Sequence, residues 1–259
     1  MLVNNMKLKN KFNRDGYIKI DTKIGYSQRF SFLSNKFDLL LKSELEKKNV
    51  KNLGGFIMGN LSLQQGYLGD LLFKLLFTPD FISKIEEVIE NKLSNYDIFF
   101  GGNICLPNKG NQIFHTDGSY KKEMYLITVA TQDITSENGA TEICVGSNLK
   151  RINFWEFYFS QKKITKLLMK KGDIFIRKHS LWHRGTKNNT KFPRLLITFA
   201  LTPKKNFTQK LINTKKFVIL PNFFKNNLKE RIFEIFYTYL PILVVTNKLL
   251  RLKINSLIK

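Results

Sequence analysis

His115 and Asp117 stand two residues apart in Phe114-His115-Thr116-Asp117-Gly118. Far downstream lie His179 and His183, the latter within Trp182-His183-Arg184-Gly185, and a cation, Arg194, follows them. Two imidazoles and one carboxylate make up the ligand face of non-haem Fe(II) oxygenases, which leaves other positions on the metal open. On a strand, residues i and i+2 point to the same side, so an H-x-D there presents a nitrogen and an oxygen donor together. The third donor must come from a distant segment, and His179 and His183 are the remaining histidines. Arg194 fits the same chemistry. A guanidinium bonds a planar carboxylate through two N–H groups, and deep in a barrel an unpaired Arg is costly. Its expected partner is the distal carboxylate of 2-oxoglutarate.

Such residues need a rigid frame, and the local sequence supplies one. Between Tyr96 and Pro203 the chain reads as short strands at 97–106, 112–114, 124–131, 142–145, 172–177 and 195–201, punctuated by Gly, Pro, Asn and Asp. That pattern predicts a sandwich or barrel. Residues 11–20 read as a helix end, a turn at Asp15-Gly16 and a strand. A helix is expected over 37–48. Residues 69–93 are helical with an interruption at Thr78-Pro79-Asp80, where Pro79 suits a first turn and Thr78 an N-cap. Phe81, Ile85, Val88, Ile89 and Leu93 then recur at helical spacing. Residues 153–169 are expected to carry a helix, and 228–252 a helical tail broken near Pro241. The segments 27–66 and 154–169 are expected to line or cover the pocket.

Several stretches together resemble the phytanoyl-CoA dioxygenase family of Fe(II)/2-oxoglutarate oxygenases. They begin with Phe12-x-x-Asp15-Gly16-Tyr17 and continue with His115-x-Asp117. Asp133-Ile134-Thr135-Ser136-Glu137-Asn138-Gly139-Ala140 is similar to the family's D-x-T-x-x-N-G-A. Val145-Gly146-Ser147-Asn148 is similar to its P-G-S-H, with Val for Pro and Asn for His. Gly172-Asp173, Leu181-Trp182-His183-Arg184-Gly185 and Arg194 complete the series, so the resemblance spans residues 11–203.

The resemblance implies an α+β fold with a mainly β core: a double-stranded β-helix (jelly roll, cupin-like) with N-terminal and C-terminal helices. One oxygenase domain would cover residues 1–259, with a helical part at 1–95, the jelly-roll core at 96–203 and a helical tail at 222–259. It implies His115, Asp117 and His183 as the catalytic metal ligands and Arg194 as the anchor of 2-oxoglutarate. Asn103 and Thr128 would contribute polar contacts to that co-substrate. Where family members often place a small hydroxyl after the distal His, this chain has Gly185, with Thr186 beside it as the candidate. His179 then falls outside the ligand set, as a histidine behind the ligands, on the substrate side or at the surface. The implied cofactors are Fe(II), 2-oxoglutarate and O2. Halogenating relatives lack the carboxylate ligand, so Asp117 favours hydroxylation of a small or carrier-bound metabolite.

Composition bounds the alternatives. The chain has 259 residues and 43 Lys and Arg against 20 Asp and Glu, a formal charge of +23. Such a charge admits nucleic acid, an anionic membrane or an acidic substrate as partner. The lysines are dispersed among abundant Asn, Ile and Phe, which reads as a residue bias. Neither a compact basic run nor an aromatic platform for a flipped base is evident, which argues against a nucleic-acid oxidative demethylase. A non-catalytic jelly-roll binding protein is disfavoured by the complete ligand set. Cys105 and Cys144 form no CxxC pair and suggest a reducing compartment. The start has no apolar signal region, and no stretch is long enough to span a membrane. A cytoplasmic protein is expected, with membrane contact open to the apolar tail at 232–245 and its following Lys248, Arg251 and Lys253.

Overall fold

The computed structural model describes residues 2–47, 58–63, 67–107, 111–112, 114–117, 123–204 and 217–219. The expected C-terminal helical tail and its membrane contact lie outside them. In chain order the elements are α1 (Leu2–Asp15), β1 (Tyr17–Ile20), α2 (Gln28–Lys47), β2 (Met58–Leu63), α3 (Tyr67–Leu76), α4 (Pro79–Ile89), β3 (Tyr96–Cys105), β4 (Tyr125–Ala130) and β5 (Thr141–Cys144). Then follow α5 (Phe154–Phe159), β6 (Ile164–Leu167), β7 (Ile174–Lys178), β8 (His183–Gly185), β9 (Arg194–Pro203) and β10 (Phe217–Ile219). The strands form two antiparallel sheets, β1-β7-β4-β9-β3-β2-β10 and β6-β5-β8.

Strand alternation divides the large sheet into two chemically distinct faces. Ile18, Ile104, Ile127, Ile176, Ile197 and Phe199 point outward and join one apolar cluster with Phe30, Leu33, Phe37 and Leu41 of α2 and Ile85 and Val88 of α4. Burying such a side chain stabilises the fold by roughly 1.5–3 kcal/mol. The opposite face turns toward the small sheet. There Ala130, Phe175 and Leu196 meet Ile143 and Leu167. Arg177, Thr128, Thr198, Asn103, Cys105 and Arg194 share that inner face through the cross-strand registers. The helices therefore brace the sheet from outside, leaving its other side for the site.

Local chemistry accounts for the expected boundaries. Thr78 caps α4 by accepting from the Phe81 N–H, with Pro79 in the first turn. Gly16 closes α1 through its N–H to Phe12 O at 2.8 Å and adopts φ +82° before β1. A Cβ there would lie 2.3 Å from Asn148 Oδ1, so the turn needs glycine. Asn148 itself donates to Asn13 O at 3.0 Å and ties this turn to the core.

Other boundaries differ. The second helix begins nine positions earlier than 37, because Ser27 Oγ accepts from Phe30 N–H and caps it. Within 153–169 the helix stops at Phe159 and β6 follows. Part of 27–66, α2, packs outside the sheet instead of lining its interior. Of the strand expected at 112–114, Gln112 and Phe114 lie in no strand, and His115 makes a single antiparallel bridge to His183. Among the described residues no helix is long and apolar enough to cross a membrane.

Candidate metal centre

The bridge between His115 and His183 explains how two distant histidines meet. Each backbone N–H donates to the other's carbonyl at 3.0 Å, and their rings lie 4.5 Å apart. Asp117 is placed differently from the strand-borne carboxylate expected of an H-x-D. It sits in a bend, and its N–H donates to His179 O at 3.0 Å. One ligand atom from each of His115, Asp117 and His183 lies within 4.8 Å of the others. Asp117 Oδ1 is 3.7 Å from His115 Nε2 and 3.6 Å from His183 Nε2. These separations exceed hydrogen-bond length, so Asp117 Oδ1 faces both ring nitrogens without a direct hydrogen bond to either. Two nitrogens and one carboxylate oxygen suit a divalent first-row metal.

The protonation states agree with that use. His183 Nδ1 lies 3.0 Å from Leu181 O. A carbonyl only accepts, so Nδ1 carries the proton and Nε2 keeps its lone pair for a metal. Burial, reinforced by the nearby charge of Arg177, pushes the His183 pKa down to about 3, which keeps the ring neutral. Desolvation alone would raise the Asp117 pKa. The charge of Arg177 and a hydrogen bond from it hold it far below the usual carboxylate range. The side chains of His115 and Asp117 remain 39% and 35% exposed, whereas His183 is 9% exposed. The centre thus has a buried floor and an open side.

His179 is buried, not a surface residue. Its Nδ1 and its backbone N–H both donate to Met124 O, each at 3.0 Å. Together with the bond from Asp117 N–H, this makes it a brace behind the metal ligands. A functional residue that sequence reasoning overlooked is Arg177 of β7, whose Nη2 pairs with Asp117 Oδ2. Its signal was available: an Arg at an inward position of an otherwise apolar strand, Ile174-Phe175-Ile176-Arg177.

Arg194 opens β9 and is fully buried. Nη1 donates to Asn103 Oδ1 at 3.0 Å and Nη2 to Gly139 O at 2.7 Å, while Nε has no partner. Burial pushes its pKa below the usual guanidinium value. No carboxylate among the described residues lies within ion-pair distance of it. The D-x-T-x-x-N-G-A stretch now has a physical meaning. Asn138 Oδ1 accepts from Thr135 N–H at 2.8 Å and its Nδ2 donates to Asp133 O at 2.7 Å. The closed turn puts Gly139 at φ +89°, with room for hydrogen only: a Cβ would meet Cys105 Sγ at 2.8 Å. Its carbonyl thereby reaches Arg194.

Of the other expected co-substrate contacts, Asn103 touches Arg194 directly. Thr128 pairs with Thr198 through their hydroxyls at 3.1 Å on the same inner face. The Thr186 hydroxyl donates to Ala140 O at 2.7 Å, joining the loop after β8 to the start of β5.

Comparison with known proteins agrees with this architecture. AviO1 from Streptomyces viridochromogenes Tue57 superposes with a TM-score of 0.59 at 12% identity, covering 76% of this chain and 94% of that one. The epimerase SnoN, in complex with Fe3+, alpha ketoglutarate and nogalamycin RO, gives 0.56 at 15% identity, over 78% and 85%. The alpha ketoglutarate dependent carbocyclase SnoK from nogalamycin biosynthesis gives 0.53 at 14%, over 76% and 83%. These likenesses show the jelly-roll fold. No curated protein matches the chain in sequence. Residues 98–196 match the model of phytanoyl-CoA dioxygenase (PhyH). That segment holds the whole His115, Asp117 and His183 constellation together with Arg194, and through it the chain is similar to the phytanoyl-CoA dioxygenase family.

Proposed function

We propose that the protein hydroxylates an unactivated C–H bond of a small or carrier-bound metabolite, consuming 2-oxoglutarate and O2. The observation that carries this reading is the gathering of His115, Asp117 and His183 donors within 4.8 Å. The three side chains would hold Fe(II). When bound, iron with its co-substrate supplies the oxidising chemistry, and the protein supplies binding, orientation and shielding.

The division of labour among the residues follows from their chemistry. His183 is kept neutral and its tautomer fixed, so it offers Nε2 without first losing a proton. Arg194 would bind the distal carboxylate of 2-oxoglutarate, adding an oppositely charged acceptor to its neutral ones. Asn103 and Thr128 flank that position on the inner face. Thr186, with its hydroxyl proton committed to Ala140, would offer at most an acceptor. The apolar packing of Phe175, Leu196 and Ile143 between the sheets keeps water from that end of the site. A small-molecule substrate is supported by SnoN, whose structure contains nogalamycin RO.

We also take residues 1–259 to be one oxygenase domain and the +23 charge to be residue bias, not a nucleic-acid footprint. The test is anaerobic reconstitution with Fe(II), addition of 2-oxoglutarate and O2, and measurement of succinate. Turnover that disappears in Asp117→Ala and His183→Ala is the expected result. Absence of both metal binding and succinate formation in the wild type would overturn the reading.

A further inference from the structure

We infer that Arg177 is a positioning residue that makes Asp117 a one-oxygen metal ligand; the inference rests on the metal-centre reading above. A carboxylate can bind a metal through one oxygen or both. Here its two oxygens face different partners. Oδ2 is held by Arg177 Nη2, whereas Oδ1 is the atom 3.7 and 3.6 Å from the two histidine nitrogens. The guanidinium occupies the oxygen that would otherwise be free to swing onto the metal. A second oxygen there would take a position that an oxygenase needs for co-substrate or O2.

Arg177 is itself well placed for this role. It lies near the end of β7, paired with Leu126 of β4 and Tyr17 of β1 on the two sides. Strands on both flanks fix its backbone. The residue is 9% exposed, and its Nη1 is buried without a hydrogen-bond partner. Such burial is unfavourable for a guanidinium, and Asp117 is its ion-pair partner among the described residues. Asp117 lies in a bend, not a strand, so its backbone bond to His179 O leaves the carboxylate's rotation to be set by Arg177. The side chain acts through Asp117 and need not touch substrate.

The test compares wild type, Arg177→Leu and Arg177→Lys as folded full-length proteins loaded with Co(II), whose visible absorption reports coordination number. Circular dichroism establishes that each is folded. Arg177→Leu is expected to retain one Co(II) but with changed band intensities, and to bind 2-oxoglutarate about tenfold or more weakly, the scale of effect of residues that orient metal ligands. Arg177→Lys keeps a cation on a shorter arm and should recover part of both. An unchanged spectrum and affinity in Arg177→Leu would overturn the inference, as would complete loss of Co(II) from a folded Arg177→Leu protein. Wild-type Co(II) binding indifferent to His183→Ala would instead overturn the metal-centre reading itself, so the two failures are distinguishable.

Discussion

The two ends of the inter-sheet interior handle a buried guanidinium in opposite ways. At the metal end, Arg177 meets the carboxylate of Asp117, and the charges balance within the protein. At the other end, Arg194 is more deeply buried yet, among the described residues, its hydrogen bonds go to the neutral acceptors Asn103 Oδ1 and Gly139 O, with the Cys105 thiol beside it. Neutral carbonyls satisfy N–H groups but leave the unit charge uncompensated. Removing ions from water is expensive unless they are paired, which fits the proposal that Arg194 awaits an anionic ligand. On the proposed reading, the first arginine would set the geometry of a site, and the second would be completed by an anionic co-substrate.

Substitutions can break this contrast, and the largest effect belongs to the metal end. Replacing His183 with Ala removes a ligand nitrogen and should abolish Fe(II) binding, whereas His179→Ala should keep the metal and lose stability by about 1–3 kcal/mol, because His179 braces Met124. Metal analysis after gel filtration and a thermal melt would read the two. Metal loss from the His179 variant with retention by the His183 variant would reverse the assignment.

Next in size is Arg194. Arg194→Ala should weaken 2-oxoglutarate by roughly 2–4 kcal/mol, about 30- to 1000-fold, while leaving the metal bound. Titration of the anaerobic Fe(II) protein by its metal-to-ligand absorption band measures this directly. An affinity equal to that of wild type would remove the difference between the two arginines.

Gly139→Ala tests whether the turn delivers its carbonyl to Arg194. At φ +89° and with Cys105 Sγ in the way, alanine should cost about 1–3 kcal/mol of stability and weaken the co-substrate without touching metal content. Parallel melting and titration curves separate the two consequences. A smaller change is expected for Thr128→Val, which deletes the hydroxyl bond to Thr198 and should cost about 0.5–1.5 kcal/mol.

The smallest expected effect is an absence of reaction. Cys105 is buried on the strand opposite Arg194, and burial pushes its thiol pKa up. A thiol kept protonated and enclosed should resist disulfide-exchange reagents in the native protein. Rapid labelling by such a reagent, with the fold intact, would mean that the Arg194 end is open to water and its charge solvated.

Much of the frame was legible locally. Thr78-Pro79 carried its own capping chemistry, Asp15-Gly16 its own turn, and Phe81, Ile85, Val88 and Ile89 their own buried stripe, all observed. Strands β3, β4, β7 and β9 were readable because an apolar outer face writes alternation or apolar runs into the sequence. β6 was not, since two of its four residues are exposed, one of them Lys166. Nor was β8, which has three residues and owes its pairing to β5. The H-x-D spacing named the donors but misjudged their support, since a bend braced by His179 and Arg177 replaces the strand.

By itself, then, the sequence determined the donor types, their order along the chain and the cation that follows them, because ligand chemistry depends on which atoms a side chain carries. It also determined the caps and turns, whose hydrogen bonds close within a few residues. The resemblance already implied His183 over His179, but only the tertiary structure gives the physical reason, since both are imidazoles and differ in what surrounds them: one ring donates to Met124 O behind the site, the other turns Nε2 toward Asp117. The tertiary structure alone decided the opposite surroundings of Arg177 and Arg194. Both are guanidiniums on inner strand positions, and they diverge because charge compensation depends on neighbours brought from elsewhere in the chain.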